Sequence, residues 1–545
     1  MKKIWRTLCV LMALIMVAGC GGAEPDPAPI GGTAGQTDTP VSGGTMNIAI
    51  PASPETVNPL EVNTREMVDM FALIYDPLVR LDTALRPSAS LAVRWEADEH
   101  GKVWTLYLRE GVTFHNGEGF TSTDVLYTLD QLKQIYTSST RTSLYSGVFS
   151  LISSYTAIDR YTVKLTLKEP SGNILPMLNF PIVQRNSLTE HDGVTLVGGT
   201  GAYVPQSSTI GSALVLKANE KWWRRTPYIS TINVKTFPDA ETALTSVSLK
   251  LVDIVHSASP TANVYRQTNL VNTSELMTQE FECIIPNVFG NPVLADVAMR
   301  QAIFSALDRK TIVKQAYMGH AVSVDVPLPP DSYLYDVAQN QLAYETNTTE
   351  QILSSLGYRD SDGDGILDKD GVKLSFRLIV NENVLNSTRT DAANLVARQL
   401  ADAGIECIVN KLSWSSYQAA LKAGQFDLAM AGFSMPTHGD LRFLLHSQGL
   451  RNYGKYQDMQ LDELLNTFFS AAGETDRMTA AGAVQRYFTQ QLPLFSLYFK
   501  TNTLVVSADI KGIKETRDMD VYMEIENWYR YNQGDENKVD VENTN

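Results

Sequence analysis

Residues 104–130 constrain the fold of this chain most, because they predict a strand, a tight turn and a capped helix in direct succession. In the segment 104–108, large apolar residues alternate with Thr105 and Tyr107, which is the period-two pattern of a strand with one buried face. Asn116-Gly117 favours a turn, since both residues tolerate positive φ. Thr121 followed by Asp124 resembles a capping box, and leucines at helical spacing come next.

The same stretch carries a family resemblance. The run LREGVTFHNG at 108–117, followed by FTSTDV at 120–125, resembles the signature of family 5 extracytoplasmic solute-binding proteins, the oligopeptide, dipeptide and nickel receptors of ABC importers. Other motifs match in family order between about residues 44 and 530, among them GTGAY at 199–203 and DVAMRQAI at 296–303. None of these residues carries chemistry, so we interpret the signature as structural.

The resemblance implies an α/β, two-lobed periplasmic-binding-protein fold of type II, the large peptide-receptor type, with an interlobe ligand cleft. Alternating strand and helix patterns in the second half of the chain also predict an α/β lobe. The expected boundaries are a lipoprotein signal peptide at 1–19, a lipid anchor and flexible tether at 20–43, lobe I at 44–62, 196–286 and 490–530, an extra α+β subdomain of lobe I at 63–195, lobe II at 287–489, and a polar tail at 531–545.

The N-terminus has the pattern of an export signal. Three basic residues precede an apolar segment at 8–18 that is too short to span a membrane. The following VAGC at 17–20 resembles the lipobox of bacterial lipoproteins, which implies a diacylglycerol on Cys20; a chance cysteine after an ordinary signal is the alternative. No later segment reaches the ~18 apolar residues that a span requires. We therefore expect an extracytoplasmic protein, anchored to the bacterial cell membrane by lipidated Cys20 alone.

Composition excludes several classes of function. The chain has 45 Lys and Arg against 60 Asp and Glu, a net charge of −15 that disfavours nucleic acid and anionic membrane surfaces as partners. Short hydrolase, zinc and redox motifs are absent and the seven histidines are scattered, so we predict no enzymatic activity. Of the four cysteines, Cys9 lies in the proposed signal peptide and Cys20 in the lipobox-like segment. The other two, Cys283 and Cys407, lie in apolar, strand-like runs, where two buried free thiols are favoured over the disulfide that export permits.

One loop has the spacing of a calcium site. Asp360, Asp362, Asp364 and Asp368 occupy positions 1, 3, 5 and 9 of an EF-hand-like loop, and carboxylate oxygens at these positions suit Ca²⁺. Position 12 is Gly371, where a bidentate Glu is expected. Members of the family often have such a run as a turn before a strand. The structural turn is therefore favoured over a weak Ca²⁺ site, and no other cofactor is expected.

The resemblance also indicates where the ligand binds. Peptide-binding members use a G-W-x-x-D segment, in which the Asp pairs with the N-terminal amine of the peptide. The corresponding residues here are Gly432, Phe433 and Ser434. Pro436 stands in place of that Asp and offers neither a charge nor an N–H donor. His438 and Asp440 lie close enough in sequence to substitute for it, although both could instead be surface residues.

Two further residues are candidates for the cleft. Arg65, by its register between family motifs, falls where a loop approaches the ligand, and an Arg there could pair a carboxylate or phosphate bidentately. The alternative is an arginine that faces solvent. Trp414, together with Phe433, is a candidate apolar wall of the cleft, with plain core packing as the alternative.

The sequence thus predicts a lipid-anchored, extracytoplasmic solute-binding receptor of an ABC importer. It would capture oligopeptides or a similar small solute between two closing lobes and deliver it to a permease. The partners implied are ABC permease and ATPase subunits on other chains, and we expect a monomer. Two alternatives from other classes are a ligand-sensing receptor for a signalling or chemotaxis system and an exported hydrolase.

Overall fold

The computed structural model describes residues 39–50, 57–188, 196, 198–206, 214–267, 270–339, 342, 344–383 and 386–531. The proposed signal peptide, Cys20 and nearly all of the tether lie outside the described residues, as does the polar tail after residue 531. None of the described helices is both long and apolar enough to cross a lipid bilayer.

The strands, in chain order, are β1 (Thr45–Ile50), β2 (Val79–Leu81), β3 (Pro87–Ala89), β4 (Ala92–Ala97), β5 (Val103–Leu108), β6 (Ile152–Asp159), β7 (Thr162–Leu167), β8 (Tyr203–Pro205), β9 (Leu214–Ala218), β10 (Thr231–Thr236), β11 (Ile254–Ser257), β12 (Val271–Pro286), β13 (Ala321–Ser323), β14 (Asp368–Lys369), β15 (Val372–Lys373), β16 (Ser375–Asn381), β17 (Glu406–Leu412), β18 (Leu428–Ser434), β19 (Phe495–Ser507), β20 (Ile510–Lys511) and β21 (Tyr529–Arg530). The α-helices are α1 (Arg65–Ala72), α2 (Ser122–Thr137), α3 (Ile174–Met177), α4 (Ala240–Ser248), α5 (Pro292–Ala295), α6 (Val297–Ser305), α7 (Arg309–Ala316), α8 (Thr346–Ser355), α9 (Thr388–Asp402), α10 (Trp414–Ala423), α11 (Arg442–Leu445), α12 (Met459–Ser470) and α13 (Glu474–Gln491).

One eleven-stranded sheet runs through both lobes. Its order is β17-β16-β18-β12-β19-β11-β1-β10-β9-β8, with β13 paired to β19 outside this path. The half from β11 to β8 comes from the segments predicted as lobe I, and the half from β18 to β17 comes from the segment predicted as lobe II. The long antiparallel strands β12 and β19 lie between the halves, because β12 also pairs with β18 and β19 also pairs with β11. These two crossover strands are the connection expected between the lobes of such a fold.

A separate four-stranded sheet, β4-β5-β7-β6, lies within the segment predicted as the extra subdomain. The alternation in β5 is confirmed, since Trp104, Leu106 and Leu108 are buried and the residues between them are partly exposed. The capping box is also confirmed: the Thr121 N–H donates to Asp124 Oδ2 over 2.9 Å at the start of α2. The fold here follows local sequence patterns directly.

The family motifs meet around the buried carboxylate of Asp76. It accepts hydrogen bonds from the Thr200 hydroxyl (3.0 Å) and from the indoles of Trp222 (3.1 Å) and Trp223 (2.8 Å). Beside it the backbone at residue 199 passes so close to Ile74 that a Cβ there would lie 2.2 Å from the carbonyl oxygen. The glycine-rich motif is therefore a close-packed turn into β8, and the tryptophan pair packs in the core.

In the segment predicted as lobe II, helix α9 buries the stripe Ala392, Val396 and Leu400 and leads into β17. This succession agrees with the alternating strand and helix patterns of the second half of the chain. The prediction of two free thiols is confirmed, but only one of the two is fully buried. Cys283 is buried in β12, Cys407 is half-buried in β17, and both are free thiols.

Candidate functional site: a cavity between the lobes

A cavity of about 620 Å³ lies where the parallel strands of both lobes end. Ala258 follows the last residue of β11, and Asn381 is the last residue of β16; both line the cavity. The crossover strands contribute residues 278 and 280 from β12 and residues 500–502 from β19. In open α/β sheets, ligands bind outside the carboxyl ends of the strands, and the volume falls within the roughly 300–1,000 Å³ of small-molecule sites.

A buried carboxylate beside this cavity holds two cations. Glu282, on β12, is only 1% exposed and accepts bidentate hydrogen bonds from Arg389 Nε (2.8 Å) and Nη2 (2.6 Å). Lys500 Nζ lies 2.9 Å from the same carboxylate. Burial raises the pKa of Glu282, but the charges of Lys500 and Arg389 outweigh burial and hold it below its ordinary value. Glu282 is therefore ionised and fixes both cations at the cavity wall.

Gly432, on β18, leaves the space that this ion pair needs. A Cβ at this position would lie 2.2 Å from Arg389 Nη2 and 2.7 Å from Glu282 Oε1. No side chain can be added there without moving one of the two charged groups. The structure thus gives a physical reason for the glycine in the family-like segment 432–436.

A second charged cluster positions Arg65 at the cavity. Arg65 Nε lies 2.8 Å from Asp518 Oδ1, and that oxygen also accepts from Asn502 Nδ2 over 3.1 Å. Buried His256, on β11, lies between two carboxylates: Nδ1 is 3.0 Å from Asp69 and Nε2 is 3.4 Å from Asp518. Burial lowers the pKa of His256, but the hydrogen bond to Asp69 and the charges of both carboxylates outweigh burial and raise it.

His320 lines the cavity from the lobe II side. Its Nδ1 lies 3.2 Å from Glu275 Oε2, and the same carboxylate accepts from the hydroxyls of Thr501 (2.5 Å) and Thr503 (2.6 Å). These contacts orient the imidazole against β12 and β19. The crossover strands β12 and β19 thus carry a row of polar side chains on the face that meets the cavity.

The structure places only one of the ligand-binding residues predicted from the sequence in the cavity lining, namely Arg65. Trp414 is 56% exposed and stacks on Tyr417 at the start of α10. Phe433 packs edge-to-face on Phe443, 6.2 Å between ring centroids, and Ser434 is an exposed residue at the end of β18. Ligand contact by these three residues stays a prediction.

His438 and Asp440, the proposed substitutes for the missing Asp, have partners within lobe II. Asp440 pairs with Arg442 through contacts of 3.1 Å from both Nε and Nη2. Burial lowers the pKa of His438 to about 4, so this imidazole is neutral at pH 7. Neither residue lines the cavity described above. Their role in binding an amine stays a prediction.

The loop at 360–368 is a hydrogen-bonded turn before the β14–β15 hairpin. Asp360 accepts from the N–H groups of residues 363 (2.7 Å) and 365 (3.1 Å), and Asp368 accepts from both the N–H and the hydroxyl of Ser361. The carboxylates of Asp360, Asp362 and Asp364 come within 4.8 Å of one another. Lys373 contacts Asp364 and lies 3.7 Å from Asp362, so an ammonium group already compensates part of their charge.

Sequence analysis missed Glu282, Arg389 and Lys500. Two of them carried a usable signal, because Glu282 and Lys500 are each the one charge in a short, largely apolar run of their strands, FECIIP and SLYFKTN. Charged residues are almost never buried without a partner. A lone charge in a buried strand therefore indicates an ion pair, although it does not identify the partner.

The fold and the cavity define a two-lobed binding protein whose ligand site lies between lobes joined by two crossover strands. The model of a known family, "Bacterial extracellular solute-binding proteins, family 5 Middle", matches residues 86–455, about two thirds of the chain. This chain belongs to that family. The family assignment and the fold class expected from the sequence are both confirmed.

Among characterised proteins, the chain is similar to the oligopeptide-binding protein AppA of Bacillus subtilis, with 27% identity over 97% of this chain and 99% of that protein. The solved structure of AppA from Bacillus subtilis in complex with a nonapeptide covers 91% of this chain and 100% of its own, with 24% identity and a TM-score of 0.62. The structure of HbpA2 from Haemophilus parasuis covers 90% of this chain and 100% of its own, with 21% identity and a TM-score of 0.78.

Proposed function

We propose that this chain is a lipid-anchored, extracytoplasmic solute-binding receptor of an ABC importer. It captures oligopeptides or a similar small solute between two closing lobes and delivers the solute to a permease, while ATPase subunits on other chains supply the energy. The chain itself catalyses no reaction. Lipidated Cys20 would be its only attachment to the membrane.

The observation that carries this proposal is the cavity of about 620 Å³ at the carboxyl ends of the strands of both lobes. Residues from lobe I, lobe II and both crossover strands line it, so rotation about β12 and β19 would change its volume. Hinge closure around a ligand is the usual motion of two-lobed binding proteins. The name of the related AppA supports a peptide as the ligand.

A cavity-filling variant tests the proposal. The mature chain is titrated with pools of di- to nonapeptides, and binding is measured as a shift of the thermal midpoint, because a ligand that binds only the folded state stabilises it. Ala258, exposed at the cavity rim, is replaced by Trp. We expect Ala258→Trp to abolish the shift.

The matched control is Ile158→Trp, which adds the same side chain at an exposed position of β6 outside the cavity. This variant should bind as the wild type does. If Ala258→Trp bound the peptides as the wild type does, the ligand site would lie elsewhere. The absence of any shift with all peptide pools would exclude peptides as the solute.

A further inference from the structure

The charges that line the cavity are distributed unevenly, and this distribution describes the ligand. Glu282 is 1% exposed, whereas Arg389 and Lys500 are 23% and 31% exposed and line the cavity. The two cations of this cluster thus face the cavity, and the single carboxylate of Glu282 lies behind them. The cluster has a net charge of +1, and its positive side is the accessible one.

Both cations keep N–H donors that are not donated to any of the described residues. Of the five N–H donors of Arg389, two are donated to Glu282 and one to Asn381 Oδ1 (2.6 Å). Lys500 has three donors and uses one for Glu282. A carboxylate in the cavity would therefore find a positive wall with free N–H groups, and charge-assisted hydrogen bonds of this kind are stronger than neutral ones.

A carboxylate lines the same wall at a short distance. Glu280 precedes Glu282 by two residues on β12, and the ladder with β18 is regular here, pairing Glu280 with Ser434 and Glu282 with Gly432. The two side chains point to the same face and lie about 7 Å apart along the strand. Among the described residues no cation lies within ion-pair distance of Glu280, so its carboxylate is available to a ligand.

We propose that the cavity binds a short zwitterion, with its carboxylate on Lys500 and Arg389 and its ammonium group on Glu280. This inference rests on the proposed function and specifies the ligand of the same site. It also replaces Asp440 by Glu280 as the residue that binds an amine, because Asp440 is engaged by Arg442. Free amino acids and short unblocked peptides are the molecules that fit this pattern.

The test compares one pool of di- to pentapeptides in four forms: unblocked, N-acetylated, C-amidated and blocked at both ends. Binding to the mature chain is followed by thermal-shift titration. We expect C-amidation to weaken binding about ten- to a hundred-fold, the usual effect of losing a charge-assisted hydrogen bond. Lys500→Met should weaken binding of the unblocked pool by a similar factor and leave the amidated pool unchanged. Glu280→Gln should weaken binding of the unblocked pool by a similar factor and leave binding of the N-acetylated pool unchanged.

Two control variants separate recognition from folding. Lys500→Arg keeps the charge and should retain binding, and Lys133→Met removes an exposed lysine of α2, far from the lining residues, and should change nothing. If Lys500→Met weakens binding of the unblocked and the C-amidated peptides equally, the assignment of the ligand carboxylate to Lys500 and Arg389 is wrong. It is also wrong if C-amidation has no effect on binding. Equal effects of Glu280→Gln on free and acetylated amines would overturn the ammonium assignment.

The failure of the proposed peptide ligand can be recognised separately. If none of the four peptide pools binds, the peptide part of the proposed function fails, and a pool of free amino acids is titrated next. Binding of amino acids that depends on Lys500 and Glu280 would keep the zwitterion inference without peptides. No binding of either pool would overturn the inference as well.

Discussion

At the scale of single residues, Gly432 shows how the backbone near the site is constrained by charged side chains. We expect Gly432→Ala to lower the free energy of unfolding by about 1–3 kcal/mol, the usual cost of inserting a methyl group where atoms are already in contact. The new Cβ would displace Arg389 from Glu282, so ligand binding should weaken as well. Urea denaturation measures the first effect.

The control for this prediction lies on the same strand. Ser434 is exposed at the end of β18, and Ser434→Ala should change the free energy of unfolding by less than about 0.5 kcal/mol. If both variants had the same small effect, the space at Gly432 would not be needed by the ion pair.

The aspartate loop gives a second prediction at the residue scale. We expect wild-type protein to bind Ca²⁺ only at millimolar concentrations, because Gly371 supplies no carboxylate and Lys373 competes for Asp364. Lys373→Met should strengthen the binding, and Asp362→Asn should remove it. Calorimetry at millimolar Ca²⁺ decides the matter. The absence of heat from both wild type and Lys373→Met, with no thermal effect of EDTA, would leave the loop as a structural turn only.

The difference between Arg65 and Glu282 shows what could be predicted about the site from the sequence. Arg65 was singled out by its position between family motifs, and it lines the cavity, while its contact with a ligand stays a prediction. Glu282, Arg389 and Lys500 meet across long sequence separations, on β12, α9 and β19. No local pattern encodes such a pairing, because partners are brought together only by the order of strands in the sheet.

At the scale of elements, His256 joins β11 to α1 and to the segment around Asp518. The groups that face its imidazole are Asp69 from α1 and Asp518. Arg65 contacts the same Asp518 oxygen, and its charge opposes the rise of the His256 pKa. Because the folded state raises the pKa of His256, the stability that its charge contributes is fully present below the unfolded pKa of about 6.5. This contribution is lost as pH rises through the folded pKa.

We therefore expect His256→Gln to lower the free energy of unfolding by about 1.5–3 kcal/mol at pH 6, the range for a hydrogen bond to a charged group, and by less at pH 9. Urea denaturation at both pH values measures the difference. His100→Gln, at an exposed position, is the control. A penalty for His256→Gln that stays the same at pH 9 would mean that folding does not raise the pKa of His256.

Elements with a local signal were predictable, and the order of the sheet was not. Strand β5 and helix α2 have the period and the cap that their sequences indicated. The sheet order was expected from the family resemblance only in outline, since no residue pattern in β19 shows that it lies between β12 and β11. Pairing partners depend on which edges remain open after the rest of the chain has folded.

At the scale of the whole molecule, the proposed lipid anchor can be tested independently of the ligand. We expect Cys20→Ser to release the protein into the medium or the periplasm, because none of the described helices can cross a membrane. Immunoblots of membrane and soluble fractions measure the change. The control is Cys9→Ser, which alters a cysteine that is removed with the proposed signal peptide. This variant should stay in the membrane fraction. Retention of Cys20→Ser in the membrane fraction would show that a second attachment exists.

The position of β19 bears on how the protein is made. This strand comes from residues 495–507, yet it lies in the middle of the large sheet, between β12 and β11. Until the ribosome has synthesised residues 495–507, β11 and β12 each present an unpaired edge, which is a site for pairing with other chains. Lobe I therefore cannot be completed during synthesis. Because the large sheet stays incomplete until β19 emerges, the chain also stays unfolded enough to be threaded through an export channel.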